Sequence, residues 1–365
     1  ARVPVVGELE VALAALPALR YIAITGTNGK TTTTALVGRL LRALGHDAVD
    51  AGNIGTPLSE VALRAAPPAW VALEISSFQL HDTPSINPTV GVLTNLAPDH
   101  LDRYATVEEY YADKALLFRH AHEGSNWVVN ADDAAAVAMA RGLPGKHLRF
   151  SGSGRLCDAF LGGKGKQQLI VDDEILMTRD QLPLLGAHNV ANALAAVTAV
   201  IATDPAHESF DDLARMASAL SAFRALPHRL EPVAESHGVL WINDSKDTNV
   251  ASALVAIESM QRPTILLLGG RHKGEPYTAL LDAIARHCRM VLAYGEAAPI
   301  IEGDLAGRAA VQRIDGSFAD VMARARELAR KGDAVLLSPA CSSFDMFRNY
   351  EERGRVFATA ARGDG

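Results

Sequence analysis

The residues with the clearest chemical potential stand near the start of the 365-residue chain, in the stretch ITGTNGKTT. It places Gly26, Gly29, Lys30 and Thr31 directly after an apolar run at residues 21–24. A glycine turn that opens a helix points backbone N–H groups and the helix dipole at an anion, while a lysine adds charge and a hydroxyl can bind Mg²⁺. The pattern predicts a phosphate loop. The usual G-x-x-x-x-G-K-[ST] spacing needs a glycine where Ile24 stands, so a chance glycine turn before a helix is the alternative.

Two further candidates lie at the ends of neighbouring apolar runs. Glu74 ends the run WVALEIS, and His100 lies in NLAPDHLDRY, directly after the run TVGVLTN. Ligands of open α/β sheets gather at the carboxyl ends of the strands, so both side chains could converge with the Lys30 loop and bind Mg²⁺. Taken separately, His100 would be an ordinary loop histidine and Glu74 a helix cap. Their shared topological position favours the metal site.

Lys114 lies on the apolar stripe of a predicted helix. That helix opens with a capping box formed by Thr106 and Glu109, and its stripe comprises Val107, Tyr110, Tyr111, Leu117 and Phe118. Periodicity alone favours a lysine whose stem covers apolar surface while its amine reaches water. If the amine is instead desolvated, its pKa falls and the neutral form becomes a nucleophile.

Alternating strand-like and helical segments must position these residues. The chain after the threonines has leucines and valine at helical spacing, and Gly45 is placed to end that helix. Residues 127–178, with glycines at 162, 163 and 165, predict short antiparallel strands, and a helix follows at 187–202. After Pro227 the alternation restarts with VLWINDS, TILLLGG, MVLAYG and DAVLLSPA.

The alternation predicts an α/β protein of two domains. Residues 1–226 would form a phosphate-loop domain with a mostly parallel sheet and a small antiparallel section, and residues 227–365 a Rossmann-like α/β domain. A formal net charge of −7 argues against nucleic acid and anionic membranes as partners. The three cysteines, at 157, 288 and 341, are too far apart for a zinc site or a disulfide framework. No segment is apolar for long enough to insert into a membrane, and a monomeric cytoplasmic protein is expected.

Taken together, these stretches resemble the Mur ligases, the ATP-dependent enzymes that form peptide bonds in bacterial cell-wall synthesis. The resemblance covers nearly the whole chain in order, and the last three stretches point to the members that add D-glutamate. The stretches are GTNGKTT, GNIG, LEISSFQL, NLAPDHLDRY, the Lys114 segment, GAHNVANALAA, LPHRLE, INDSKDTN, GGRHKG and LSPACSSFDMFRNYEERG.

The resemblance implies a role for each matching residue. Lys30, Thr31, Glu74 and His100 would hold the phosphates of ATP and Mg²⁺, and Lys114 would carry a carbamate made with CO₂ that binds a second Mg²⁺. Arg229 would also contact the phosphates. The implied catalytic groups are Lys30, Lys114, His100, Glu74 and Arg229. The implied ATP contacts are Gly26, Thr27, Asn28, Gly29, Lys30, Thr31, Thr32, Asn189, Asn192, Arg229, Asp244 and Lys246. The implied substrate contacts are Asn53, Ser76, Thr248, Lys273, Ser343, Phe344 and Tyr350.

The implied reaction activates the carboxylate of UDP-N-acetylmuramoyl-L-alanine as an acyl phosphate, from which D-glutamate displaces phosphate. The sequence departs from the family in two places. Tyr350 stands where the family commonly has phenylalanine, and the chain enters the phosphate loop almost at once, so a separate N-terminal domain that binds the uridine nucleotide is expected to be absent. The alternatives are another Mur ligase, a folylpolyglutamate synthase, or a nucleotide-binding module without ligase activity. No N-K-x-D segment supports a GTPase switch.

Overall fold

A computed structural model describes residues 5–100 and 103–363. The chain divides into two compact units, Ala1–Phe223 and Arg224–Gly365. The boundary expected at Pro227 lies shortly after this division. Within the described residues, no helix is both long enough and apolar enough to cross a membrane.

The described part of the first unit contains a nine-stranded sheet in the order β2-β3-β1-β4-β5-β6-β7-β8-β9. β1 lies inside its parallel part, paired with β3 on one side and β4 on the other. The carboxyl ends of these three strands therefore lie side by side. The strands are β1 (Arg20–Thr25), β2 (Ala48–Gly52), β3 (Trp70–Glu74), β4 (Val90–Leu93), β5 (Asn126–Asn130), β6 (Lys146–Ser151), β7 (Ala159–Gly162), β8 (Gln168–Val171) and β9 (Glu174–Thr178).

The antiparallel section of this sheet is smaller than the sequence suggested. β5, β6 and β7 extend the parallel sheet, and only the β7–β8 and β8–β9 pairs are antiparallel. The expectation of antiparallel strands throughout residues 127–178 was therefore wrong for β5 and β6. A strand's direction depends on how the chain returns to the sheet, and here α6 (Ala134–Met139) connects β5 to β6 in parallel.

Helices pack on the sheet and begin or end at the residues that local chemistry favours. α2 (Lys30–Ala43) starts after Gly29 and ends before Gly45, which has a φ of 90°. The Thr106 side chain caps α5 (Val107–Ala115) by accepting from Glu109 N, but the Glu109 carboxylate accepts from Ala105 N, so the predicted capping box is only half formed. The other helices are α1 (Glu8–Ala15), α3 (Leu58–Ala62), α4 (Ser77–His81), α5 (Val107–Ala115), α7 (Ala187–Ile201) and α8 (Phe210–Ser221).

The second unit has a six-stranded sheet, among its described residues, in the order β10-β11-β15-β12-β13-β14. The four apolar runs identified from sequence become β11, β12, β13 and β15, which are parallel, and β10 adds an antiparallel edge. The α/β class with mostly parallel sheets is thus confirmed. The strands are β10 (Glu231–Ser236), β11 (Val239–Asn243), β12 (Thr264–Gly269), β13 (Cys288–Tyr294), β14 (Val311–Ile314) and β15 (Ala334–Leu337).

Each unit has an apolar core cluster formed by its own residues. Leu73, Leu93 and Trp127 belong to the first core, and Leu267, Leu337 and other strand residues to the second. The helices of the second unit are α9 (Val250–Glu258), α10 (Leu281–His287), α11 (Ala298–Leu305), α12 (Phe318–Leu328) and α13 (Tyr350–Arg362).

Candidate active site

The stretch between β1 and α2 forms a tight loop at the carboxyl edge of the first sheet. Gly26 and Gly29 have φ angles of 144° and 82°, which side chains other than glycine rarely adopt. A Cβ atom on Gly26 would lie 2.0 Å from Thr94 Oγ1, and one on Gly29 would lie 2.4 Å from Asn192 Oδ1. The loop therefore needs glycine at both positions for reasons of backbone angle and of space.

The loop is held from the neighbouring strand. Asn28 N donates to Asn95 Oδ1 at 2.9 Å, and Asn95 Nδ2 donates back to Asn28 O at 2.9 Å. Thr94 Oγ1 donates to the same carbonyl at 2.7 Å. Thr27 Oγ1 donates to Ala97 O and accepts from Ala97 N, both at 3.0 Å. These contacts fix the backbone of the loop before any ligand binds.

Two lysines converge on the loop. Lys30 Nζ donates to Gly26 O at 3.0 Å and to Thr27 O at 2.8 Å, and Lys114 Nζ donates to Gly26 O at 2.7 Å. Lys114 is only 1% exposed, so the expectation from periodicity of an amine that reaches water was wrong. Its stem lies on the stripe, but α5 turns that stripe toward the loop.

Burial gives the Lys114 amine unusual acid–base properties. Desolvation and then the charge of Lys30 lower the pKa of Lys114 to about 7. Its Nζ lies 4.6 Å from the centre of the Tyr110 ring, and the Tyr110 hydroxyl donates to Thr27 Oγ1 at 3.4 Å. A substantial fraction of the amine is therefore neutral near pH 7, as a nucleophilic lysine requires.

Glu74 lies at the end of β3 and is buried, with its two oxygens in different environments. Oε1 accepts from Asn53 Nδ2 at 3.0 Å, whereas Oε2 is buried with no hydrogen-bond partner in the described part of the chain. An unpaired buried carboxylate oxygen is costly unless a ligand or water satisfies it. The reading of Glu74 as a helix cap was wrong, because Ser76 caps α4 by accepting from Gln79 N at 3.2 Å.

His100 lies in an aromatic cluster after β4. Its ring centre is 5.2 Å from that of Phe78 and 5.9 Å from that of Tyr110, whose ring also faces Lys114. Its φ is 55°, so the backbone turns sharply there. Leu101 and Asp102 of the NLAPDHLDRY stretch lie outside the described residues.

The two asparagines expected to contact ATP lie in α7, behind the phosphate loop. Asn192 Oδ1 accepts from Thr33 Oγ1 at 3.3 Å, and Asn192 Nδ2 donates to Asn189 Oδ1 at 3.0 Å. Asn189 Nδ2 in turn donates to Leu185 O at 2.7 Å. The pair thus supports α2 and Gly29, and its contact with adenine stays a prediction.

In the second unit, Asp244 follows β11 and is fully buried. Its Oδ1 accepts from Leu230 N and its Oδ2 from Ser338 Oγ, both at 2.9 Å. Burial and then the charge of Asp247 raise the pKa of Asp244 well above its usual range. Asp244 therefore holds the backbone next to Arg229, where Leu230 has a φ of 43°. The ribose contact expected of Asp244 stays a prediction.

The residues expected to bind the amino acid lie on loops after β11, β12 and β15. Lys273 Nζ donates to Thr248 Oγ1 at 2.9 Å, which joins the first two of these loops. Ser343 is buried after β15, whereas the Phe344 side chain is 62% exposed. Tyr350 begins α13, and its ring lies 5.6 Å from Lys246 Nζ.

Several supporting residues were not singled out from sequence. Thr94, Asn95 and Tyr110 hold the phosphate loop. The sequence feature that could have identified them is their position, directly after β4 for the first two and on the Lys114 stripe for Tyr110. Arg353 is buried in α13 and donates to Ser245 O at 2.8 Å and to Cys341 O at 3.2 Å. No local pattern distinguishes this arginine, since EERG within an amphipathic helix is typical of a solvated face.

The described residues contain no group of three or more His, Cys, Asp or Glu side chains that could hold a metal ion by themselves. A metal at the phosphate loop would thus need other oxygen ligands. Threonine hydroxyls, a modified lysine and nucleotide phosphates could supply them.

Comparisons with known proteins agree with this arrangement. Residues 24–200 match the Mur ligase middle domain, and residues 228–341 match the glutamate ligase domain of the Mur ligases. A UDP-N-acetylmuramoylalanine–D-glutamate ligase of Salinibacter ruber is 42% identical over 348 residues, which cover 92% of this chain and 74% of that protein. A second such ligase, from Aromatoleum aromaticum, is 43% identical, and the match covers 98% of this chain and 78% of that protein.

Solved structures share the fold at much lower identity. The MurF ligase of Thermotoga maritima, solved in complex with ADP, has a TM-score of 0.73 at 19% identity. The match covers 98% of this chain and 84% of the MurF chain. A pseudomurein peptide ligase type C of Methanothermus fervidus has a TM-score of 0.65 at 18% identity. The match covers 87% of this chain and 75% of the pseudomurein ligase chain. The resemblance inferred from the sequence is confirmed: the chain belongs to the Mur ligase family, together with the UDP-N-acetylmuramoylalanine–D-glutamate ligases.

Proposed function

We propose that this protein uses ATP to join D-glutamate to UDP-N-acetylmuramoyl-L-alanine in peptidoglycan synthesis. The observation that carries the proposal is that relatives named for this activity match 92% and 98% of the chain at more than 40% identity. The loops described above supply groups suited to each part of the reaction.

In the first unit, the loop from Gly26 to Thr32 would hold the phosphates of ATP. Its backbone is fixed by the residues after β4, it opens α2, and it includes Lys30, so backbone N–H groups and a cation are available to stabilise phosphate charge. An oxygen of the substrate carboxylate attacks the γ-phosphorus, the bond from that phosphorus to the oxygen of ADP breaks, and an acyl phosphate forms.

Mg²⁺ fits the donor set at this loop. Thr31, Glu74 and His100 would hold it, and the buried Oε2 of Glu74 is an oxygen in need of a partner. When bound, the ion would neutralise phosphate charge. Lys114 would carry a carbamate: its neutral amine nitrogen attacks the carbon of CO₂ and releases a proton. The modification turns a buried cation into an oxygen ligand.

The carbamate is tested by carbon-13 spectroscopy. We expect protein equilibrated with ¹³C-labelled bicarbonate to show a carbamate resonance that is missing from Lys114→Arg, which keeps the positive charge but cannot form it. A resonance of equal intensity in both proteins would place the modification elsewhere.

In the second unit, the loops after β11, β12 and β15 would bind D-glutamate. Lys273 offers a cation for a carboxylate, Thr248 and Ser343 offer hydroxyls, and Phe344 and Tyr350 would wall the pocket. The D-glutamate amine attacks the carbonyl carbon of the acyl phosphate, loses a proton, and phosphate leaves. The nucleotide contacts expected of Arg229, Asp244 and Lys246, and the substrate contacts of Asn53 and Ser76, stay predictions.

The direct test is phosphate release by the protein expressed from its complete gene, with ATP, UDP-N-acetylmuramoyl-L-alanine and a panel of amino acids. D-Glutamate should support release at least about tenfold better than L-glutamate, D-aspartate or diaminopimelate, because a site built for one hydrogen-bonding pattern leaves polar groups unpaired with the others. Preference for another amino acid would assign the protein to a different member of the family.

A further inference from the structure

Tyr277 lies at the junction of two loops in the second unit, and its side chain is buried. Its hydroxyl lies 2.9 Å from Cys341 Sγ, in the loop after β15, and 3.0 Å from His272 Nδ1, in the loop after β12. The hydroxyl has one proton, so it donates to one of these neighbours and accepts from the other. Tyr277 thus links His272, which precedes Lys273, to Cys341, which lies two positions before Ser343.

The two loops are already paired along their backbones at the adjacent positions. Arg271 N donates to Ser342 O at 2.9 Å, and Ser342 N donates to Arg271 O at 3.2 Å. The tyrosine contacts His272 and Cys341, the neighbours of these two residues. A shift of one loop past the other would therefore break the backbone pair and the tyrosine contacts together.

The tyrosine itself is anchored from a third direction. Its backbone N donates to Asp304 Oδ2, in α11, at 2.9 Å, and Glu275 Oε2, two residues earlier, accepts from Val250 N at 2.9 Å. Its ring is 1% exposed, so its position is set by packing as well as by hydrogen bonds. The hydroxyl is therefore a fixed point to which both loops can be held.

We propose that Tyr277 is a positioning residue that holds Lys273 and Ser343 at the spacing needed to bind the two ends of an acidic amino acid. This inference rests on the proposed function, because it assigns those two residues to the amino-acid site. The hydroxyl does not touch the substrate. It acts through His272 on the backbone of Lys273, whose amine is also held by Thr248 at 2.9 Å.

The test replaces only the hydroxyl. Tyr277→Phe keeps the buried ring and should raise the KM for D-glutamate about fivefold to tenfold. This is the effect expected when about one hydrogen bond that holds the two loops in the binding arrangement is lost. The kcat and the KM for ATP should stay within about twofold of the parent protein. A role in general stability would instead change all of these together with the melting temperature.

Tyr294→Phe is the matched control. Tyr294 is a buried tyrosine of the same unit whose hydroxyl interacts with Arg353 in α13 and is hydrogen-bonded to neither His272 nor Cys341, so its loss should leave the KM for D-glutamate unchanged. His272→Ala supplies a second, partly exposed position. Combined with Tyr277→Phe, it should add little to the rise in KM, because both changes break the same link.

The outcomes separate the inference from the function on which it rests. If the parent protein releases phosphate with D-glutamate and Tyr277→Phe has an unchanged KM, the positioning role is wrong while the function stands. Additive effects of Tyr277→Phe and His272→Ala would likewise contradict a shared link. If the parent protein shows no release that depends on D-glutamate, both are refuted.

Discussion

At the scale of single residues, Lys114 is the group whose environment departs furthest from that of an ordinary lysine. It is buried against Tyr110, within hydrogen-bond distance of Gly26 O, and close to a second cation, Lys30. The charge of Asp99 offsets only part of the effect of desolvation and of Lys30 on the pKa of Lys114, so a positive charge buried here does not stabilise the fold. Such a lysine is therefore better explained by chemistry than by folding.

The lowered pKa of Lys114 predicts how stability changes with pH. The folded pKa of about 7 is below the ordinary value of 10.5, so between these values the unfolded chain binds more protons and the free energy of unfolding rises with pH. In CO₂-free buffer, stability relative to Lys114→Met should rise from about pH 7 to pH 10, by up to about 1.4 kcal/mol per pH unit. Below pH 7 the difference should be constant.

Chemical denaturation of both proteins at a series of pH values measures this difference. Lys164→Met, at an exposed lysine in the β7–β8 turn, controls for the loss of a positive charge. A difference between the parent and Lys114→Met that does not change from pH 7 to pH 10 would mean that Lys114 is not desolvated in solution.

Lys273 gives the second prediction at this scale. If Lys273 binds the D-glutamate carboxylate as proposed, Lys273→Ala removes a charge-assisted hydrogen bond worth about 2 to 3 kcal/mol, so the KM for D-glutamate should rise by roughly two powers of ten. The affinity for ATP should change little. Steady-state kinetics in each substrate separates the two effects, and a collapse of ATP affinity at unchanged KM for D-glutamate would assign Lys273 to the nucleotide.

At the scale of secondary-structure elements, the turn between β1 and α2 depends on the space next to Gly29. Gly29 and Gly45 have similar φ angles, 82° and 90°, but only Gly29 is crowded: a Cβ atom there would meet Asn192 Oδ1 at 2.4 Å, whereas one on Gly45 would meet nothing within 4 Å. The two glycines that flank α2 therefore form a matched pair for mutation.

Gly45→Ala should cost about 1 to 2 kcal/mol through backbone strain and leave nucleotide affinity unchanged. Gly29→Ala carries the same strain and also displaces Asn192 or the loop, so we expect it to weaken binding of a non-hydrolysable ATP analogue by at least about tenfold. Calorimetric titration of both variants measures this. Equal affinities in the two variants would show that the loop does not bind the nucleotide phosphates.

The elements that sequence predicted are those with strong local signals. β1, β3, β4, β11, β12 and β15 are short apolar runs followed by turn residues, and α2 has both helical spacing and Gly45. β14, with the sequence VQRI, has no apolar alternation, and β10 contains Pro232 and lies at the sheet edge. Edge strands are half exposed and carry a weak pattern, and for that reason both were missed.

At the scale of the whole molecule, the order of the motifs along the chain identified the family, although each motif alone was ambiguous. Taken one at a time, His100 was best interpreted as an ordinary loop histidine and Glu74 as a helix cap. The burial of Lys114 and of Arg353 could not be predicted, because a helix's periodicity shows which residues share a face but not what that face meets. The contact between the Tyr277 hydroxyl and Cys341 joins positions 64 residues apart and has no local signal.

Transfer of oxygen-18 from the substrate to phosphate tests whether the substrate carboxylate is activated as an acyl phosphate. UDP-N-acetylmuramoyl-L-alanine labelled with oxygen-18 in its carboxylate is incubated with ATP, D-glutamate and the protein expressed from its complete gene. Attack of that carboxylate on the γ-phosphorus leaves one labelled oxygen on the phosphate released. This mechanism predicts one oxygen-18 atom per phosphate, formed only with D-glutamate present. Unlabelled phosphate accompanying amide formation would contradict it.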